Sequence, residues 1–288
     1  MEIETSPISD EAFSSIDLVC QCLIDPDKAT AFEEVFKSVI KSDYRVLDLG
    51  TGSGILALLA ARAGAKEVTA VEFDPFIADV ARNNIKHNGY ADKIKVISAD
   101  ARTVAFSVGE KFDVIAMEML STGLVDEFQI QAINNLCEQG LITSETILVP
   151  SSEENYFTLA EFDFSNYGFE IKMVRHLWSH DHNDDSVKYV SDKKILNFID
   201  FSKRIDENFS AELSFVVTKD SKLNSVCLST KTFINKDKSV FLESTHSLNP
   251  LVVIPLPDRE VHIGDDVRIG VSYKFGGGYQ NFKVNYLN

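Results

Sequence analysis

The chain has 288 residues, 44% of them hydrophobic, so it is long enough to bury one large core or two moderate ones. Its 28 basic and 44 acidic residues give a formal net charge of −16, which opposes binding to phosphate backbones and to anionic lipid. The composition therefore favours basic or small partners and predicts neither nucleic-acid nor membrane binding.

The amino-terminal stretch MEIETSPISDEAF lacks the basic and apolar regions of a signal peptide, and no later run is long enough for a membrane-spanning helix. The sequence therefore predicts a cytoplasmic protein. Its cysteines, Cys20, Cys22, Cys137 and Cys227, fit neither a disulfide framework nor a zinc site and are predicted to be free, buried thiols. The histidines of HLWSHDHNDD, residues 176–185, lie in an acidic loop, where no metal site is predicted.

The pattern of apolar residues divides the chain into three parts. Residues 1–43 contain the stretch FEEVFKSVI and are predicted to form helices that cap the next domain. Residues 44–150 alternate strand-like runs such as YRVLDLG with helical segments, one of them over residues 125–139, which predicts a doubly wound, Rossmann-like parallel sheet. Residues 151–288 contain successive strands separated by turns, which predicts an antiparallel β-barrel or sandwich packed closely against the first half.

A glycine-rich turn, VLDLGTGSGIL, joins the first strand to its helix and contains Gly50, Gly52 and Gly54. Because glycine has no side chain, such a turn lets the backbone approach a ligand closely. The spacing fits a dinucleotide site only loosely, since that fingerprint is G-x-G-x-x-G. Glu72 ends the next strand, where its carboxylate can accept hydrogen bonds from both hydroxyls of a ribose, as also occurs in dinucleotide enzymes.

Two further acids favour a different ligand. Asp48, before the glycines, would repel a pyrophosphate but attract a cationic sulfonium amino acid. Asp100 follows the third strand in ISAD, where it can accept a hydrogen bond from an adenine amino group. Loop and cap chemistry would explain either acid alone, but the ordered set resembles the class I S-adenosylmethionine-dependent methyltransferases. The resemblance implies S-adenosylmethionine as cofactor, bound by Asp48, the three glycines, Glu72 and Asp100.

Two glutamates nine positions apart, Glu118 and Glu127, flank the loop EMLSTGLVDE. Each has an ordinary explanation, because Glu118 can end a strand and Glu127 sits near a predicted helix start, where acids gain about 0.3 to 1 kcal/mol. Together with the β-rich second half, however, the loop resembles the double-glutamate loop of the protein arginine methyltransferases. In that family two acids at this spacing grip the substrate guanidinium, so the resemblance implies that Glu118 and Glu127 are catalytic.

Other segments follow the order of the same family. LIDPDKATAF resembles its amino-terminal motif, whose acid, here Asp25, pairs with a histidine of the barrel. THS occupies the position of the family's Thr-His-Trp loop and supplies His246, so the resemblance implies an Asp25–His246 pair that takes up a proton. Two residues depart from the pattern. Lys28 stands where an arginine usually holds the cofactor carboxylate, and Ser247 stands where a tryptophan would shape the arginine pocket.

The resemblance predicts an S-adenosylmethionine-dependent N-methyltransferase that acts on the guanidinium of a protein, a peptide or free arginine. It also implies a homodimer, although few residues remain for the helical arm through which family members dimerise. Two alternatives stay open: a methyltransferase for another small molecule or for RNA, and a catalytically silent cofactor-binding module. The sequence AMEM after the fourth strand differs from the Asn/Asp-Pro-Pro-aromatic signature of nucleobase amino methylation, which disfavours RNA, whereas Ser247 and Lys28 motivate the silent module.

Overall fold

The computed structural model describes residues 16–178 and 186–287. His180 and His182 of the acidic loop, and residues 1–15 of the predicted amino-terminal cap, lie outside the described residues. In the described ranges no helix is both long enough and apolar enough to cross a membrane.

The helices start where the sequence offers caps. Asp25 and Asp74 precede prolines, and their carboxylates accept from backbone N–H groups of the first turn, at 3.2 Å from Lys28 N and 2.7 Å from Phe76 N. The described helices are α1 Ile16–Leu23, α2 Pro26–Val39, α3 Ile55–Arg62, α4 Pro75–His87 and α5 Gln129–Glu138.

The fifth helix begins later than the residue 125 predicted from the sequence. The preceding residues Thr122–Leu124 form a short 3-10 turn in which Gly123 has a φ of 70°, a conformation that an α-helix cannot continue. Glu127 therefore lies in a loop before α5 and not in the first turn of a helix. The helix-start explanation for this acid is wrong.

The first half contains one parallel sheet in the order β3-β2-β1-β4-β5. Its strands are β1 Arg45–Leu49, β2 Glu67–Glu72, β3 Ile94–Ser98, β4 Val114–Met117 and β5 Ile147–Val149. All four residues of β4 are buried, as expected of a central strand covered on both faces. The strand order reverses between β1 and β4, and open α/β sheets bind ligands beyond the carboxyl ends of the strands at such a point.

The second half is antiparallel. One seven-stranded sheet contains the path β10-β6-β13-β15-β9, and separate sheets contain β12-β16-β17 and β7-β8. The strands are β6 Ser152–Phe162, β7 Ser165–Asn166, β8 Phe169–Glu170, β9 Arg175–Leu177, β10 Val187–Tyr189, β11 Lys194–Asp200, β12 Asn208–Val216, β13 Ser221–Phe233, β14 Phe241–Leu242, β15 Leu251–Val261, β16 Asp266–Lys274 and β17 Lys283–Leu287.

One hydrophobic core runs through both halves. Phe36 of α2, Ile115 of β4, Leu228 of β13 and Phe275 after β16 all belong to the same buried cluster. Burial of this shared apolar surface stabilises the contact between the halves. As a result, loops of the antiparallel half can be held at the carboxyl end of the parallel sheet.

Candidate active site

A cavity of about 400 Å³ lies at the carboxyl ends of β1, β2 and β4. Its lining includes residues that were predicted to bind the cofactor and residues that were predicted to bind the acceptor. Of the residues predicted from the sequence, those lining it are Lys28, Gly50, Gly52, Glu72, Asp100, Glu118 and Glu127. The others do not belong to its lining in the described structure: Asp25, Asp48, Gly54 and His246.

The glycine turn follows β1, is hydrogen-bonded to the carboxyl end of β2 and approaches the glutamate loop. The Gly50 N–H donates to Val71 O at 3.0 Å, and the Gly52 N–H donates to Glu72 Oε2 at 2.9 Å. Gly50 has a φ of 75°, and a Cβ built there would lie 2.8 Å from Met119 Cγ. The turn therefore requires glycine both for its conformation and for its close approach to the loop.

Asp48 lies beneath this turn. Its Oδ2 accepts from the Thr51 hydroxyl at 2.5 Å, and its Oδ1 is buried without a hydrogen-bond partner among the described residues. Burial raises the pKa of Asp48 to about 7, against the opposing effect of the Thr51 hydrogen bond. The carboxyl is thus only partly ionised near neutral pH, and its position fits a role in holding the turn better than the predicted attraction of a sulfonium.

Glu72 and Asp100 line the cavity on either side of the turn. Glu72 is 5% exposed, and its Oε1 accepts from the Asp74 N–H at 3.1 Å. Asp100 forms an ion pair with Arg102, with 2.7 Å between Oδ2 and Nη2. Burial alone would raise the pKa of Asp100, but its hydrogen bonds to Arg102 outweigh burial and lower the pKa. Asp100 accepts from the backbone N–H, Nε and Nη2 of Arg102, so a ligand that bonds to this carboxylate shares its oxygens with Arg102. The acidic residues that line this end of the cavity fit S-adenosylmethionine, which is cationic and has ribose hydroxyls and an adenine amino group to donate. The contacts of Glu72 with the ribose and of Asp100 with the adenine stay predictions.

The two loop glutamates have different electrostatic surroundings. Lys28 Nζ lies 2.7 Å from Glu118 Oε2, and the two side chains are 5% and 13% exposed. Burial alone would lower the pKa of Lys28, but the negative charge of Glu118 has the larger effect and raises this pKa. Glu127 forms no ion pair among the described residues, and burial, together with the charge of Glu118, raises its pKa well above the usual value. Glu118 therefore already has a cationic partner, whereas Glu127 has none among the described residues.

The antiparallel half fixes the glutamate loop. The Thr122 hydroxyl donates to Pro250 O at 2.7 Å, and the Gly123 N–H donates to Thr230 Oγ1 at 2.8 Å. The Tyr273 hydroxyl donates to Gly123 O at 3.0 Å. These buried hydrogen bonds set the backbone path between Glu118 and Glu127, so the spacing of the two carboxylates depends on residues more than 100 positions away.

Asp25 and His246 do not form the predicted pair. Asp25 Oδ2 accepts from the Thr245 hydroxyl at 2.5 Å and from both the backbone N–H and the hydroxyl of Ser247 at 2.9 Å. His246 Nε2 instead lies 2.8 Å from Gln21 Oε1 of α1. The hydroxyl side chains on either side of the histidine saturate the carboxylate, so Asp25 ties the THS loop to the start of α2 and does not orient the imidazole ring.

The cavity also contains side chains that the sequence did not assign to the site: Asp126, His176, Trp178, Asn249 and Tyr279. The rings of His176 and Tyr279 lie 5.4 Å apart between centroids. Two of them could have been found from the sequence, because Trp178 is the only tryptophan of the chain and Asp126 directly precedes Glu127. Tyr279 follows the turn GGG, and nothing local in that stretch indicates a position in the site.

The thiols and candidate metal ligands can be placed within the described ranges. The four cysteines are free, but only Cys227 is buried, Cys22 and Cys137 are half-buried and Cys20 is exposed, so the prediction of buried thiols is wrong for Cys20. No group of three or more His, Cys, Asp or Glu side chains in the described part of the chain could hold a metal ion.

Fold, glycine turn and surrounding acids together define an S-adenosylmethionine-dependent methyltransferase. A family model described as ribosomal protein L11 methyltransferase (PrmA) matches residues 31–176. A protein of Methanocaldococcus jannaschii described as uncharacterised is 35% identical over 265 residues, which cover 91% of this chain and 94% of that protein. The chain belongs to the methyltransferase family that the PrmA model describes, and the predicted class of enzyme and its cofactor are confirmed.

Arginine methyltransferases are further relatives. The arginine N(omega)-methyltransferase of Streptomyces achromogenes subsp. streptozoticus is 33% identical over 143 residues, 49% of this chain and 39% of that enzyme. The probable protein arginine N-methyltransferase 1.2 of Arabidopsis thaliana is 27% identical over 233 residues, 75% of this chain and 63% of its own length. The matches thus span less than two thirds of either enzyme. They confirm the predicted resemblance to this family.

Solved structures agree on the fold. The Trypanosoma brucei PRMT1 enzyme-prozyme heterotetrameric complex with AdoHcy aligns with a TM-score of 0.73 at 19% identity, over 90% of this chain and 88% of that one. Arabidopsis thaliana protein arginine methyltransferase 10 aligns with the same TM-score of 0.73 at 18% identity, over 96% and 99% of the two chains. The predicted combination of a Rossmann-like domain with an antiparallel β domain is confirmed.

Proposed function

We propose that this chain transfers a methyl group from S-adenosylmethionine to the guanidinium of arginine, in a protein, a peptide or the free amino acid. A cytoplasmic location, a homodimer and the division at residues 43 and 150 belong to the same proposal. The names of the Streptomyces and Arabidopsis relatives support the acceptor.

The observation that carries the proposal is the unequal pairing of the two loop glutamates. Glu118 and Glu127 line the same cavity as the glycine turn, and Glu118 is already neutralised by Lys28 at 2.7 Å. Glu127 has a raised pKa and no cation of its own among the described residues. A buried carboxylate in this state is stabilised by an incoming cation that also donates hydrogen bonds, and guanidinium offers both.

The residues around the cavity can perform the chemistry expected of such an enzyme. S-adenosylmethionine supplies a methyl carbon on a sulfonium, which a guanidinium nitrogen attacks as the sulfur–carbon bond breaks and the nitrogen loses a proton. Glu127 neutralises the guanidinium charge and fixes its plane by charge-assisted hydrogen bonds. Glu118, held by Lys28, lies on the same loop and orients the second edge of the group. Holding the nitrogen in line with the methyl carbon contributes on the order of 7 to 11 kcal/mol in favourable cases.

Asp25 and His246 have separate roles in this proposal. Asp25 positions the loop that contains His246 through its hydrogen bonds to Thr245 and Ser247. His246 lies outside the lining of the cavity, with Gln21 and not Asp25 at its ring, so it can receive the proton only through an intervening group such as a water molecule. Lys28 keeps a second function, because an ammonium has three donors and pairing with Glu118 leaves donors for a cofactor carboxylate.

The test is a transfer assay with S-adenosylmethionine labelled in its methyl group. Purified protein is incubated with free arginine, a set of arginine-rich peptides and RNA, and the label is followed into each acceptor. We expect transfer to a guanidinium and its loss in Glu127→Gln. Transfer to RNA alone would remove the arginine function. Tight cofactor binding without transfer to any acceptor would instead establish the silent module.

A further inference from the structure

A second group of polar side chains lies in the acceptor part of the cavity, beyond the two glutamates. Asp126, Asn249 and Tyr279 line the cavity, and the proposed methyl transfer uses none of them. Asp126 forms no ion pair among the described residues, and burial is the cause that raises the pKa of its carboxyl to about 6. It is therefore mostly ionised at neutral pH although no cation balances it.

Two other side chains of the cavity lining have polar atoms without a partner among the described residues. The Tyr279 hydroxyl is buried without a hydrogen-bond partner in the described structure, and so is Oδ1 of Asn249, which is 2% exposed. The Asn249 Nδ2 donates to Thr232 Oγ1 at 2.9 Å, so the amide is oriented with its oxygen left as an acceptor. Folded proteins rarely leave such groups unpaired, and an unpaired set that lines a cavity is available to a ligand.

The charges in the cavity show what kind of ligand group is missing. Lys28 balances Glu118, and an acceptor guanidinium would balance Glu127, which leaves the Asp126 carboxylate without a counter-charge. The Gly278 N–H donates to Val125 O at 2.9 Å, which brings the residues directly before Tyr279 and Asp126 side by side. Burial raises the pKa of Tyr279, and the charge of Asp126 raises it further. The three atoms available are acceptors, and an ammonium carries one charge and three donors.

We infer that Asp126, Tyr279 and Asn249 form a subsite for an ammonium group carried by the same acceptor molecule as the guanidinium. The inference rests on the proposed arginine function and narrows it to acceptors with two cationic groups. Two sources share this chemistry: the α-ammonium of free arginine, and a lysine side chain next to arginine in a peptide. Discrimination between acceptors with and without the ammonium follows from the cost of leaving a buried carboxylate unpaired.

The test compares matched acceptors by steady-state kinetics. One pair is L-arginine and Nα-acetyl-L-arginine, and the other is a peptide with lysine next to its arginine and the same peptide with norleucine there. We expect the ammonium-bearing member of one pair to have a lower KM. Asp126→Asn should raise that KM roughly tenfold to a hundredfold, the effect of losing one charged hydrogen bond, and leave the KM of the uncharged member and kcat within about threefold.

Two further variants control for misfolding of Asp126→Asn and for non-specific effects of removing a negative charge. Tyr279→Phe removes only the hydroxyl and should raise the same KM by a smaller factor, so it serves if Asp126→Asn fails to fold. Asp92→Asn changes an exposed acid and should alter neither KM. Discrimination in the first pair assigns free arginine, and in the second pair a basic peptide. Equal KM values within both pairs, or equal effects of Asp126→Asn on all acceptors, would overturn the subsite while leaving arginine methylation intact. Absence of transfer to any guanidinium would overturn the function itself.

Discussion

The cavity has two walls that are built in different ways. The cofactor wall, residues 50–53 with Glu72 and Asp100, consists of residues at or just after the carboxyl ends of neighbouring parallel strands. The acceptor wall, residues 118–128 with Asn249 and Tyr279, combines one loop of the parallel sheet with two loops of the antiparallel half. Strand order alone positions the cofactor wall, whereas packing between the halves positions the acceptor wall. The acceptor can therefore change by substitutions in the second half while the cofactor site is retained.

The largest expected effects separate Glu118 from Glu127 on the acceptor wall. We expect either change to glutamine to lower kcat by on the order of 10²- to 10³-fold, because each removes charge stabilisation at the reacting group. Only Glu118→Gln should also destabilise the fold, by about 3 to 5 kcal/mol, because it leaves Lys28 charged and buried without its partner at 2.7 Å. Transfer assays and thermal unfolding of both variants check this difference.

Glu127→Gln should leave the unfolding temperature nearly unchanged. Burial and the charge of Glu118 raise the pKa of Glu127, which disfavours its charged form, and glutamine is a neutral group of the same shape. Glu138→Gln, which changes an exposed acid of α5, is the matched control and should affect neither property. Equal destabilisation of the Glu118 and Glu127 variants would contradict the assignment of Lys28 to Glu118.

The second prediction concerns pH. Burial, with the nearby charge of Glu118, raises the pKa of Glu127, so at lower pH the acceptor must displace a proton in order to bind. We expect acceptor KM to rise as pH falls below that pKa, by up to tenfold per pH unit, and to level off above it. Asp126 has a pKa of about 6 and adds to the effect only below that pH.

Proton release gives an independent measurement of the same effect. Calorimetry of acceptor binding in buffers of different ionisation enthalpy should show more proton release in the wild type than in Glu127→Gln, and the difference should grow as pH falls. An acceptor KM that stays constant from pH 6 to pH 9 would show that Glu127 is ionised before the acceptor binds.

The cofactor wall could be predicted from the sequence because its signals are local. The glycines, Glu72 and Asp100 each follow a recognisable strand, and parallel strands bring their carboxyl ends to one edge. The two glutamates were also identified, through their spacing and the resemblance to a known family. Their unequal pairing was not, because it depends on Lys28, which lies 90 positions before Glu118.

Most of the acceptor wall could not be predicted from local sequence patterns. Tyr279 and Asn249 reach the cavity only through the packing of the two halves, and no periodicity in their own segments marks them. The Asp25–His246 pair was predicted from family order alone. Substitution of Ser247 for the family's tryptophan adds a small hydroxyl donor, which binds Asp25 at 2.9 Å, so a motif in the expected position makes different contacts.

The third prediction tests how far the acceptor wall depends on the antiparallel half. Gly123 has a φ of 70°, and a Cβ there would lie 2.8 Å from Leu228 Cδ2 of β13. Gly123→Ala should cost about 1 to 3 kcal/mol through backbone strain and overpacking, raise acceptor KM and leave the cofactor Kd unchanged. Gly140→Ala is a close control, because its φ is 68° but the space around it is open. Equal losses in the two variants would mean that strain alone, and not the contact with β13, determines the effect.

The smallest expected effect belongs to the cofactor wall. Glu72 accepts from the Gly52 and Asp74 N–H groups and lines the cavity beside the glycine turn. Glu72→Gln keeps the shape but removes the charge that strengthens hydrogen bonds to ribose hydroxyls, so the cofactor Kd should rise about tenfold, the value of one charged hydrogen bond. Acceptor KM at saturating cofactor should stay the same, since Glu72 is assigned to the cofactor wall. Isothermal calorimetry with S-adenosylhomocysteine measures the first quantity and steady-state kinetics the second. An unchanged Kd would remove Glu72 from the cofactor site, and a changed acceptor KM would show that the two walls are coupled through the turn at Gly50 and Met119.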